Sequence, residues 1–535
     1  MRSATSSEAD RLLPAPLTAV PLVVAVAALV LFPLFDLLRT MLDAAGGGSL
    51  VAALDTEAIG NSLWTSALAA VLAVVIGVTA ALVTERSAVA PTRGLRVAVL
   101  LPLLVPPFVS ALAWTRGFGP GGLTDDLFGL TLPGLIGPAG IVIVLAVHAA
   151  PLAYLVAAAA LATRARPELE WAGRASGAGR RLAFRRITFP LLASAVAGGG
   201  ALAFVVSLNS FGIPAVLGVP AGFPTITTRI FGDLARSADP AAFRRVLMLS
   251  TVLMALVVAV VVVVGRVVRR AVTDAPGAAR EPIPGPGSGR GVGLLWGYLA
   301  ATSLVPLVAL ALTGLTRAAG LDPWPGNWTL SNFVEAWSGD AWGAAGRSLV
   351  LAAAAATVAT VLGVLLALSR RRRSGGMGIA AAATFAVPGS VLAVAFLLAY
   401  GPWLRDTLLI ILLAYLAKFW TLAHRSIAGS TAALDGDAVR AARVSGATGT
   451  ATLRRVVLPM LRPAITAAWL LVFLFGLHEL TMSSLLYGPG TATLAVVTLE
   501  VQQLGDVTVT AALAVLLTVP GVLAAIVMGS RRRGT

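Results

Sequence analysis

Apolar runs of about twenty residues alternate with short polar stretches along the whole chain. Twelve runs stand out, at about 17–38, 62–84, 97–117, 136–162, 191–216, 244–268, 292–315, 346–368, 378–400, 405–428, 463–486 and 509–529. A run of that length can cross the hydrocarbon core of a bilayer. Lipid offers backbone N–H and C=O groups no partner, so each run must close its own hydrogen bonds as a helix. The pattern predicts an all-α polytopic membrane protein with about 12 transmembrane helices. The first run has no clear small-residue cleavage site after it, which predicts a retained signal anchor.

Charge fixes the orientation. With twelve spans both termini share a side, and the segments on that side hold 29 of the 40 basic residues. The opposite loops hold few, among them Arg39, Arg229, Arg236 and Arg317. Basic loops stay in the cytoplasm, so the termini are expected there. Segment 271–291 differs from the other loops: it is rich in Pro and Gly, polar and aperiodic, and reads as a flexible linker. It sits near the midpoint with six spans on each side. The predicted organisation is a first half at 1–270 (core 61–262), the linker, and a second half at 292–535 (core 346–529).

Composition narrows the function classes. Only 12% of residues are charged, against roughly 25% in soluble domains. The net charge of +16 is dispersed between spans, so it encodes topology rather than a nucleic-acid groove. There is no cysteine, which removes disulfides and thiolate chemistry. No GxxxxGK[ST] stretch is present, so ATP would have to be handled by another polypeptide. No HExxH motif or Ser/His/Asp set appears, and His148, His424 and His478 are scattered. No enzyme activity is expected. All basic residues but Lys418 are arginine, a skew that reads as coding bias.

The halves repeat. A shift of 269 residues places 172–195 on 441–464 with ten of 24 positions identical and no gap. The matches include Ala172/Ala441, Arg174/Arg443, Gly177/Gly446, Ala178/Ala447, Arg185/Arg454, Arg186/Arg455 and Pro190/Pro459. Similar apolar composition does not place Gly, Pro and three arginines in register. Each copy lies between the fourth and fifth span of its half. Six spans per half give both halves one orientation, a parallel repeat. Good helix formers up to Ser176, then Gly177, predict a short helix stopped by a glycine, with Pro190 in the first turn of the next span. Charge anchoring alone would not require matched Gly and Pro positions.

The Gly-Ala pair, followed by a hydrophobic residue and a Pro thirteen residues after the Gly, resembles the EAA loop of binding-protein-dependent ABC importer permeases. That pattern begins Glu-Ala-Ala; here the places read Trp171-Ala172-Gly173 and Arg440-Ala441-Ala442, without the glutamate. Asn61-Ser62-Leu63 and Arg347-Ser348-Leu349 look like the start of the permease domain. LPLLVPPFVSALAW (101–114) and FAVPGSVLAVAF (385–396) look like its Pro-containing third helix. FGIPAVLGVPAGFPTITTRIF (211–231) and HELTMSSLLYGPGTATLAVVTLE (478–500) look like the fused, two-unit iron(III)-type branch. The resemblance implies two six-helix units and two coupling loops docked on two copies of a cytoplasmic ABC ATPase. It also implies an extracytoplasmic solute-binding protein. Ferric iron is the implied cargo, and ATP is used by the partner, with no cofactor on this chain. Related permeases carry 2-aminoethylphosphonate, thiamine, sulfate or polyamines; an ion-coupled secondary transporter is the rival class.

Ionisable residues inside spans are functional candidates because burying charge in lipid is costly. His478 and Glu479 fall in the eleventh run, and the same shift sets them opposite Asn209 and Ser210 in the fifth. These four are expected along the translocation pathway; alternatively Glu479 reaches the outer interface or pairs locally with Arg229 or His478. Lys418 pairs with an acid such as Asp406 or Glu479, or snorkels. His148 suits a helix interface better than a substrate site. Trp324, Trp328, Trp337 and Trp342 suit an interfacial or docking surface.

Overall fold

The computed structural model describes residues 19–45, 54–86, 92–165, 167–272, 289–338, 340–368, 384, 386–432, 434 and 436–531. Among them every regular element is helical, apart from one isolated bridge between Thr316 and Trp328. Among the described residues nine helices are long and apolar enough to cross a membrane, and Gly389–Leu404 and Val507–Gly521 are shorter apolar helices. Of the predicted linker, 273–288 lie outside the described residues. Its edges are helical, in Pro240–Val272 and Gly289–Leu299. The basic stretch 369–377 also lies outside them.

Among the described residues, four predicted spans, the third, fifth, ninth and eleventh, are not continuous helices. The third run splits into Leu101–Leu104 and Pro107–Phe118. Between them Pro106 sits at φ −55°, ψ 139°. Pro107 pushes the residue before it out of the helical region, so the chain must turn there. Pro388 takes the same extended conformation, φ −58°, ψ 139°, before Gly389–Leu404, here with a glycine and not a proline after it. The fifth and eleventh runs stop early. Phe189–Leu208 is followed by Gly212–Leu217, and Leu458–Leu477 by Ser483–Leu486. A hydropathy window cannot see these breaks, because the residues around them stay apolar.

Contacts divide the chain into two compact units, 51–339 with 498–535, and 1–50 with 340–497. This differs from the two halves read along the sequence. In the second unit the first helix among the described residues, Ala19–Ala45, packs on Gly389–Leu404, with Phe32 and Tyr400 ring centroids 5.9 Å apart. In the other unit, Val305–Leu315 packs on Pro107–Phe118 and on Val507–Arg531. Small residues permit this. A Cβ at Gly117 would fall 3.3 Å from Pro306 Cα, and one at Gly314 would fall 3.1 Å from Ala512 N.

Inside each unit a matched pair of helices forms the centre. Thr56–Arg86 lies on Pro138–Thr163, and Asp340–Leu368 on Leu408–Ala432. Their contact faces are alanine and glycine: Ala69, Ala73, Ala80 and Ala81 in one, and Ala352, Ala355, Ala356 and Ala359 in the other, are buried. A Cβ at Gly77 would come 2.6 Å from Ala150 O; one at Gly363 would come 3.0 Å from Ala423 C. In lipid there is no hydrophobic drive between helices, so close backbone approach through small residues supplies the packing. Ser62 and Ser348 stand 286 residues apart, whereas the loops stand 269 apart. Most of the difference is the stretch carrying the short helix Leu123–Phe128, which is nearly missing between Leu404 and Leu408.

Candidate functional site

The first loop is built from Pro167–Ala175, a helix with Glu168 and Glu170 in its first turn and Arg174 in its last. That charge order suits the helix dipole. Gly177 stops it at φ +91°, a left-handed conformation that costs a side chain but not glycine. The Gly177 N–H donates to Arg174 O (3.0 Å) and the Ala178 N–H to Gly173 O (3.1 Å), closing the helix end. Then come Arg180–Ala183, a π-helical turn Phe184–Thr188, and the span Phe189–Leu208 with Pro190 in its first turn.

The second loop repeats each step: Gly436–Val444, Gly446 at φ +80°, Gly449–Thr452, a π-helical turn Leu453–Val457, and Leu458–Leu477 with Pro459. Its closing bonds are Gly446 N–H to Arg443 O (3.0 Å) and Ala447 N–H to Ala442 O (3.0 Å). Ala172, Arg174, Gly177, Arg185, Arg186 and Pro190 are exposed, as are Ala441, Gly446, Arg454, Arg455 and Pro459; Ala178, Ala447 and Arg443 are half-buried. Trp171 and Arg440, at the family's glutamate position, are exposed too.

The supports beneath the two loops differ, and sequence reading missed them. Glu170 turns inward. It accepts from Arg86 (2.7 Å) and from the Thr188 hydroxyl (3.0 Å), while Arg86 also donates to Ala165 O (2.7 Å). In the second copy the places of Glu170 and Thr188 are taken by Val439 and Val457, which pack with Leu461, Leu368, Leu434 and Ile465. A second pair is exchanged as well. A Cβ at Gly173 would meet the Ile187 methyl at 2.5 Å. The matching residues are Ala442 and Val456, one gaining and the other losing a carbon. Arg86 lies far upstream in sequence, so only the fold shows it as a partner.

The pathway candidates stand where the fifth and eleventh spans stop. The Asn209 N–H donates to Val205 O (3.0 Å) and the His478 N–H to Leu474 O (3.0 Å), each ending its helix. Asn209, Ser210 and His478 are half-buried. Glu479 is buried and spends its carboxylate locally. Its oxygens accept from Met482 N–H (3.0 and 2.9 Å) and Ser483 N–H (3.1 Å), and Oε2 lies 3.3 Å from the Ser483 hydroxyl. Arg229, suggested as its partner, instead pairs with Asp55 at 2.7 Å. Tyr415 Oη meets Ser483 Oγ at 2.6 Å.

After each break the chain is locked to a central helix of the same unit, Thr56–Arg86 in one and Asp340–Leu368 in the other. Asn61 Nδ2 donates to Pro224 O (2.9 Å), and Ser62 Oγ accepts from Ile226 N–H (2.8 Å). Arg347 Nε donates to Ala492 O (2.8 Å), and Ser348 Oγ accepts from Leu494 N–H (2.8 Å). The serine pair is thus a repeated clasp that orients the segment beyond each break.

Two loops of one backbone form, two matched breaks and two matched clasps describe a pair of transport units. Residues 73–274 and 359–530 match the family described as binding-protein-dependent transport system inner membrane component. The chain belongs to that family. It is a multi-pass inner-membrane component of the permease type, whose members work with ATPase and solute-binding partners. It is 26% identical over 459 residues to FbpB 1 of Haemophilus influenzae, named for ferric transport, covering 80% of this chain and 70% of that one. With the ferric transport system permease protein FbpB of Actinobacillus pleuropneumoniae it shares 26% over 437 residues, 77% of this chain and 61% of the relative. A shorter match, 35% over 198 residues, is to the molybdenum transport system permease protein ModB of Mycobacterium tuberculosis, 37% of this chain and 74% of the relative.

Proposed function

We propose that the chain is the transmembrane subunit of an ATP-driven importer of ferric iron, with both termini in the cytoplasm, and that it is no enzyme itself. The observation that carries this is the pair of exposed loops, set twice in one backbone form and continuous through a π-helical turn with a span. Two copies of a cytoplasmic ABC ATPase receive one loop each, and those subunits hold and hydrolyse the ATP. An extracytoplasmic solute-binding protein delivers the cargo to the opposite face.

Closure of the ATPase pair displaces both loops. Left-handed Gly177 and Gly446 fix the angle between the docking helix and the segment that re-enters the membrane. Displacement therefore passes into Phe189–Leu208 and Leu458–Leu477 as rigid bodies and reaches the breaks at Asn209–Ser210 and His478–Glu479. Half-buried Asn209, Ser210 and His478 line the route there. Iron is supported by the names of relatives that cover most of the chain.

The test is reconstitution. Permease co-expressed with the ABC ATPase and solute-binding protein of the same organism should retain the ATPase through purification and take up radiolabelled iron only with ATP. Sulfate, thiamine, 2-aminoethylphosphonate and a polyamine serve as rival solutes. Uptake driven by an ion gradient with no ATPase bound would sink the importer reading, and uptake of a rival but not iron would sink the substrate.

A further inference from the structure

Lys418 is the one lysine in a chain whose other 39 basic residues are arginine. It lies ten residues into Leu408–Ala432, about 15 Å along that helix at 1.5 Å per residue and so at membrane depth. The side chain is half-buried and points at the break within the eleventh run. A Cβ built on Gly389 would fall 2.8 Å from Nζ and 3.5 Å from both Met482 Cγ and Thr481 Cβ. The ammonium thus sits in the space a side chain at Gly389 would fill, between the Pro388 turn and the eleventh-run break. Non-helical backbone at this depth persists only where protein or a polar cavity surrounds it, and interrupted helices are where membrane transporters place their solutes.

Among the described residues, the Lys418 ammonium makes no hydrogen bond and no ion pair at contact distance. Glu479 acts on it electrostatically. Its oxygens, however, are committed to the Met482 and Ser483 backbone and to the Ser483 hydroxyl. Three N–H donors on this half-buried ammonium are open to the acceptors of a ligand. The first half has no counterpart. The 269-residue shift sets Ala149 opposite Lys418, Ser210 opposite Glu479 and Pro214 opposite Ser483. The cation is therefore single, as a site for one ligand would be. Its chemistry differs too: an ammonium is a compact point charge, whereas the other 39 basic residues carry planar guanidinium groups.

We propose that Lys418 Nζ binds an oxyanion group, carboxylate or phosphate, at the break of the second unit, and that ferric iron passes this point in an anionic complex rather than as a bare cation. The identity of the anion's carrier rests on the iron reading above; the anion site does not. The purified permease–ATPase complex in nanodiscs is incubated with radiolabelled ferric citrate, with neutral ferric tris(acetohydroxamate), and with inorganic phosphate alone. Wild type should bind ferric citrate at least tenfold more tightly than the neutral complex. Lys418→Met and Lys418→Gln should remove that preference and leave the neutral complex unchanged. Lys418→Arg should restore only part of it. Phosphate bound without iron in a Lys418-dependent manner supports the site with a free anion; binding of ferric citrate alone supports an iron-borne one. Unchanged ferric citrate binding in Lys418→Met, or equal loss of both iron complexes while the ATPase still co-purifies at wild-type yield, overturns the proposal. If wild type binds iron in neither form but phosphate binding still depends on Lys418, the iron reading fails and the anion site stands.

Discussion

The two loops share a backbone and differ in what holds it. Beneath the first, Glu170 gathers Arg86 and Thr188 into a half-buried polar knot. Beneath the second, Val439, Val457 and Leu461 do the same work by apolar contact. Both positions of the Glu170–Thr188 pair change together, as do both of Gly173–Ile187, which become Ala442–Val456. Exposed Gly177, Arg185, Arg186 and Pro190 do not change in the second copy. The lesson is that the outward face and the left-handed glycine are what both copies need, and the support is free to be polar or apolar provided it is complete. A polar support with one member missing is worse than an apolar one, because a buried partner is left unpaired.

The largest effect should come from removing what the loops share. Pro fixes φ near −65°, whereas Gly177 and Gly446 sit at +91° and +80°. Gly177→Pro with Gly446→Pro should reduce ATP-dependent uptake to background while the protein still inserts, as membrane fractionation would show. Normal uptake by that double variant is incompatible with a coupling role. Each single variant then shows whether the loops contribute equally.

Moving the polar solution into the wrong loop comes next. Val439→Glu places a carboxylate among Val457, Leu461 and Leu368, costing about 3 kcal/mol without a partner. A fall in the melting temperature of the detergent-solubilised protein would register it. An unchanged transition would mean that the cluster opens to water.

The converse exchange is milder. Glu170→Val alone leaves Arg86 without its carboxylate and should cost about 1–2 kcal/mol, since the pair is only partly buried. Arg86→Met, Glu170→Val and Thr188→Val together should recover most of that loss, giving the first loop the second loop's support. Limited proteolysis at the loop reads both; failure of the triple variant to recover would show that the knot has a further task.

The smallest effect tests the steric exchange. Gly173→Ala forces a methyl against Ile187 and should cost about 1 kcal/mol. Adding Ile187→Val should return stability to wild type, as at Ala442 and Val456. Calorimetry of the two variants against wild type would decide it, and equal destabilisation of both would refute the pairing.

Much of this was legible in the chain. Hydropathy placed the helices because lipid length and backbone satisfaction act on composition alone. The loops were legible because glycine at positive φ and proline in a helix's first turn leave residue-specific traces at Gly177, Gly446, Pro190 and Pro459. The breaks at Asn209 and His478 were marked as polar pairs but not as helix ends, because their neighbours remain apolar. Lys418 stands out in the sequence by its charge, while Gly389, whose lack of a side chain gives the ammonium its place, carries no signal.

By itself the sequence determined the number of apolar runs, the parallel repeat and the form of both loops, since each depends on local length, charge and backbone freedom. Only the tertiary structure decided which span packs with which. Ala19–Ala45 and, among the described residues, the first and last helices of the second half leave the grouping their order suggests, because contact at Gly117 and Gly314 depends on surface fit and not on adjacency. It also decided that Glu479 caps Ser483–Leu486, that Glu170 faces Arg86, and that Ser62 and Ser348 clasp Ile226 and Leu494. Those partners are far apart in the chain or hidden by helix register, and a hydrogen bond is a statement about distance in space.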